Sequence, residues 1–66
     1  MELTRATING DHWITIERLS DNEYQVWTRS KSTSVKNYEG NFDEALHQWQ
    51  CLVAIQKLAS ETVEIK

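Results

Sequence analysis

One stretch of this chain, residues 42–59, repeats its apolar side chains at helical spacing, while the segments before it alternate. That division constrains the fold. A lone amphipathic helix has nothing to bury its stripe against, so the alternating segments must supply a sheet. Phe42, Ala45, Leu46, Trp49, Leu52 and Val53 follow the i, i+3, i+4, i+7 pattern. Asn41 is a good N-cap, Glu44 three residues later makes a capping-box-like pair, and Asp43 and Glu44 place negative charge in the first turn.

Upstream, three segments read as strands. Residues 12–19 (HWITIERL) alternate Ile14 and Ile16 against Trp13, Thr15 and Glu17. Residues 23–29 (EYQVWTR) alternate Tyr24, Val26 and Thr28 against Gln25, Trp27 and Arg29. Residues 33–39 (TSVKNYE) are the weakest of the three. The joints SDN (20–22) and SKS (30–32) carry turn chemistry. The chain holds no proline and only two glycines, Gly10 and Gly40, which act as punctuation. The expected architecture is α+β. A three-stranded antiparallel β-meander (12–39) is followed by one long α-helix (42–59) packed across one face, the order βββα. Residues 1–10 form a polar lead-in, and 62–66 (TVEIK) a tail or a short C-terminal strand. Sixty-six residues make one small domain.

A core this small gives a margin of about 3–5 kcal/mol unless something staples it. A single cysteine, Cys51, excludes an internal disulfide and fits a reducing compartment. Residues 1–10 hold neither an apolar run nor a basic start, and nothing approaches a membrane span. A cytoplasmic protein is expected. The net charge of −3 weakens a default nucleic-acid reading, because phosphate binding runs on basic charge.

The helix carries a second stripe. Cys51, Ala54, Ile55 and Leu58 repeat i, i+3, i+4, i+7 on roughly the opposite arc from the core residues. One sheet cannot cover both sides of a helix. A homodimer interface through Cys51, Ala54, Ile55 and Leu58 covers the stripe and supplies the missing staple. A fold-back of Val63 and Ile65 is the alternative.

Asp43, His47 and Cys51 sit four residues apart, a metal-ligand spacing, but two or three residues of one chain do not close a tetrahedral site. A Cys51–His47 nucleophile pair lacks both an orienting group and room for a pocket. No catalytic, cofactor-binding or metal residue is therefore assigned. The chain is expected to be non-enzymatic, with no cofactor and no small-molecule substrate. The outer sheet face draws more attention. Parity turns Trp13, Glu17, Gln25, Trp27 and Arg29 away from the helix, with Lys36 and Tyr38 joining them. Aromatics beside cations compose a protein hot spot, and equally a platform for stacked bases. The expected partner-binding residues are Trp13, Trp27, Arg29, Lys36 and Tyr38.

The order strand–strand–strand–helix, with YEGNFDEAL leading into the helix, resembles in outline the AP2-type DNA-binding domains, including the arm-binding domains of integrases, and the HicB-like antitoxin folds. The likeness covers residues 12–59 as element order. The AP2-type face is richer in basic residues than this one, and the HicB-like pattern carries a further operator-binding domain. The resulting expectation is a protein-binding module, an inhibitor, adaptor or regulator of the kind phages and mobile elements use as accessory proteins. A nucleic-acid-binding domain using the same face is the alternative.

Overall fold

The computed structural model describes residues 1–8, 11–59 and 63–65. Its elements are β1 (Glu2–Ile8), β2 (His12–Ser20), β3 (Glu23–Ser30), β4 (Ser34–Gly40), α1 (Phe42–Ala59) and β5 (Val63–Ile65). The sheet runs β4-β3-β2-β1-β5, and every neighbouring pair is antiparallel. The α+β meander-then-helix architecture is therefore present, with one strand more than expected. Among the described residues, no helix is long and apolar enough to cross a membrane.

Residues 1–10 are not a polar lead-in, because β1 occupies most of them. Ala6 and Ile8 point inward and are buried, and β2 and β5 pair with β1 on its two sides. One small residue and one Ile make a faint apolar alternation in a Thr-rich strand, so its strand character rests on its neighbours. Asn9-Gly10 lies outside the described residues. α1 leaves the β4 edge and carries the chain back to the β1 edge. Eighteen residues of helix reach ~27 Å, enough to cross four inter-strand steps of ~4.8 Å.

The expected parity of β2 and β3 holds. Ile14, Ile16 and Val26 meet Ala45, Trp49 and Val53 of α1 in the core, with Tyr24, Leu46 and Leu52 packed around them. Trp49 is 7% exposed, and its indole N–H donates to the Ile14 carbonyl oxygen at 2.9 Å. A buried indole otherwise leaves a donor unpaired, so this bond fixes the helix over the middle of β2. Tyr38 departs from expectation. Opposite Val26 and Trp27 the β4 register slips, with Val26 facing Tyr38 and Trp27 facing Lys36. The extra residue, Asn37, makes a β-bulge, which breaks the strict alternation between Lys36 and Tyr38. Lys36 stays on the outer face, while Tyr38 packs against the core beneath the helix.

The bulge also shapes the helix start. Asn41 caps α1, its Oδ1 accepting from the Glu44 backbone N–H at 2.9 Å. The Glu44 carboxylate does not reach back to close a capping box. It accepts from the Tyr38 hydroxyl instead. Tyr38 lies across Gly40, where a Cβ would fall 2.8 Å from its Cζ. Phe42 sets its ring on Tyr24, with centroids 5.1 Å apart at 59°. Beyond this point the outward side of α1 is open. Cys51 and Ala54 are exposed, Ile55 is 59% and Leu58 91% exposed. The β5 backbone pairs with β1 at the sheet edge. The side chains of Val63 and Ile65 lie outside the described residues, and with them the fold-back idea.

Candidate binding face of the sheet

α1 covers one face of the sheet, and the register of the strands fixes what the other face presents. Three rows cross it. Thr7, Trp13, Arg29 and Ser34 form the first, and Arg5, Thr15, Trp27 and Lys36 the second. Glu2, Glu17, Gln25 and Glu39 form the third. Trp13 and Trp27 therefore sit diagonally across adjacent strands, close enough for large side chains to share cover. Thr15 between them is 0% exposed although no helix lies above it. Its neighbours in the rows, not a second layer of backbone, exclude water from it.

Each indole is held by a cation. The Arg29 guanidinium lies over Trp27 with its Cζ 4.4 Å from the ring centroid, and Arg5 over Trp13 at 5.2 Å. Arg29 is fixed in turn, donating from Nε (3.0 Å) and Nη2 (2.7 Å) to one carboxylate oxygen of Glu17. That oxygen also accepts from the Thr15 hydroxyl at 2.8 Å. Arg5 grips Glu2 with two bonds, 3.0 and 2.8 Å. The Trp27 N–H donates to Gln25 Oε1 at 2.9 Å, Gln25 donates to Glu39, and Lys36 pairs with Glu39 at 3.3 Å.

The electrostatics follow. Burial pushes the Glu17 carboxyl up, but hydrogen bonds from Arg29 and Thr15 outweigh it and hold the group below the ordinary carboxylate range. Glu39 is lowered as well, first by the Gln25 hydrogen bond and then by Lys36. Arg5, Arg29 and Lys36 face Glu2, Glu17 and Glu39, so the described side chains of the face carry no net charge. Residues 28–37 carry three cations and no acid, yet Arg29 finds Glu17 of β2 and Lys36 finds Glu39 further along its own strand. Lys31, the remaining cation of that run, lies 3.9 Å from Asp11 at the strand ends.

Of the five expected contact residues, the fold gathers Trp13, Trp27, Arg29 and Lys36 on this face and puts Tyr38 on the opposite one. Sequence reasoning missed Arg5 and Glu2, because β1 was not recognised. A Thr-rich run with Arg5 between two threonines was the available signal. Glu39 was missed because of the bulge. On the helix, Cys51 Sγ and His47 Nε2 lie 3.5 Å apart and exposed. Among the described residues, no group of three or more His, Cys, Asp or Glu could hold a metal ion within one chain.

No family model matches the chain, and neither a curated protein nor a solved structure is significantly similar to it. The outline resemblance to AP2-type and HicB-like modules thus stays one of element order, without a shared sequence.

Proposed function

We propose that this chain is a small non-enzymatic binding module that docks on another protein through the outer face of its sheet, as an inhibitor, adaptor or regulator. The observation that carries this reading is the state of the two tryptophans. Trp13 and Trp27 are half-buried on a face that no described element covers, each under a guanidinium that is itself paired. Trp and Arg dominate protein hot spots, and side chains already fixed lose little entropy on docking. Charge balance points the same way. A polyanion draws its affinity from unneutralised cations, and here every cation of the face has a carboxylate partner. Stacked bases would also have to displace the guanidinium groups.

Capture from extracts of the source cell tests the reading, using the wild type, Trp13→Ala, Arg5→Glu and a helix-face control, Cys51→Ser. The expected outcome is a protein retained by the wild type and by Cys51→Ser but lost by the two sheet variants. In parallel, tryptophan fluorescence should stay unchanged when random oligonucleotides are added at low salt. Quenching that disappears with added salt would give the face to nucleic acid instead.

A further inference from the structure

The outward side of α1 carries a pattern that the sheet face does not use. His47, Cys51, Ala54 and Leu58 repeat i, i+4, i+7, i+11, the spacing of a helix–helix seam, and all four are exposed. Within that seam, Cys51 Sγ and His47 Nε2 are 3.5 Å apart. Zinc binds thiolate sulfur at ~2.3 Å and imidazole nitrogen at ~2.0 Å, and at a tetrahedral angle those lengths set the two donors about 3.5 Å apart. The pair therefore stands at the separation of one edge of a tetrahedral zinc site. One chain supplies half the ligands, and among the described residues it has no third.

The charges of the helix say what completes it. Asp43 and Lys57 flank the seam at opposite ends of α1, and among the described residues neither forms an ion pair within the chain. Two copies of α1, set antiparallel about a two-fold axis level with residues 49 and 50, bring Asp43 of each copy beside Lys57 of the other. The same register brings His47 beside Cys51 of the second copy, with Ala54 small enough to allow close approach. Two identical halves then meet at the axis.

We infer that two copies of this chain pair through α1 and hold one zinc-class cation at a Cys2His2 site made by His47 and Cys51 of each. The site is incomplete in either copy alone. Binding requires both thiols as thiolates, so it releases protons and weakens in acid. The inference stands apart from the sheet-face reading, since the two surfaces lie on opposite sides of the molecule.

Sedimentation of the full chain, first in chelator and then with zinc added to one ion per two chains, tests it. The expected mass doubles from 7.7 kDa, with saturation at that ratio. Cobalt(II) in place of zinc should give the intense visible bands and thiolate charge transfer of a tetrahedral site. His47→Ala and Cys51→Ser, both at exposed positions, should keep the helical circular dichroism and lose both the mass change and the bands. Asp43→Lys should weaken the zinc dimer up to about tenfold, from two exposed ion pairs per dimer. Adding Lys57→Asp to that variant should restore it. An unchanged mass with zinc, a dimer equally stable in chelator, or one ion per chain without association would each overturn the site. Asp43→Lys without effect would overturn the antiparallel register.

Discussion

Trp49 does two jobs with one side chain, filling the space between helix and sheet and donating to the Ile14 carbonyl. Trp49→Ala should cost about 3–5 kcal/mol, as large aromatic truncations in cores do. On a margin of that size, cooperative unfolding in denaturant should disappear. Trp49→Phe keeps most of the volume and loses the hydrogen bond, so a cost of about 1 kcal/mol beyond the packing change is expected. Gly40 and Tyr38 form the second coupled pair, since any Cβ at Gly40 meets the phenol ring. Gly40→Ala should destabilise the wild type, yet be neutral or stabilising once Tyr38→Ala has cleared the space. A double-mutant cycle reads that coupling directly. Glu17 gives the pH dependence. Its carboxyl is lowered in the folded chain, so it adds stability above the ordinary Glu pKa. That stability is lost as the pH falls through the lowered value. Denaturant midpoints across the acid range should therefore fall less steeply for Glu17→Gln than for the wild type.

At the scale of elements, α1 and β4 show different kinds of instruction. α1 is specified locally by Asn41 at its start, acid in its first turn and Lys57 in its last, with a continuous inward stripe. Asn41→Ala should cost about 1 kcal/mol, the usual worth of an N-cap, measured by thermal or denaturant unfolding. β4 is specified by its bulge. With Asn37 inserted, Lys36 faces out beside Trp27 and Tyr38 faces in beside Val26. Deleting Asn37 should leave both placements intact in a regular ladder, at the loss of its hydrogen bond with Thr28. The deletion should therefore fold, whereas deletion of Tyr38 should set polar Asn37 opposite Val26 on the inward face and remove the ring that packs against the core. Circular dichroism and unfolding cooperativity separate the two outcomes.

At the scale of the whole molecule, β1 is the strand on which closure depends. It contributes Ala6 and Ile8 to the core, covers one edge of β2 and offers the other edge to β5. It also brings Arg5 and Glu2 to the outer face. A chain beginning at residue 11 should lose the cooperative transition altogether, because a core of this size cannot surrender two buried residues and a full ladder of backbone hydrogen bonds. Retained cooperative melting in that truncation would show that residues 12–59 fold alone.

The sequence by itself determined the helix and its limits, its cap, the two central strands and which of their residues face inward, because each of these is written in local periodicity and local hydrogen bonding. Ile14, Ile16, Val26 and Trp49 are where the 2.0 and 3.6 periods place them. Only the tertiary structure decided the rest. β1 has too weak an apolar pattern to declare itself and exists through its pairing with β2 and β5. A single extra residue in β4 moved Tyr38 from the expected contact face to the core. Of the three ion pairs on the outer face, Arg5–Glu2 and Lys36–Glu39 are local, three residues apart in one strand, but Glu17 with Arg29, twelve residues apart, comes from the pairing of β2 with β3. Strand pairing and bulges are long-range choices, and no local pattern fixes them in advance.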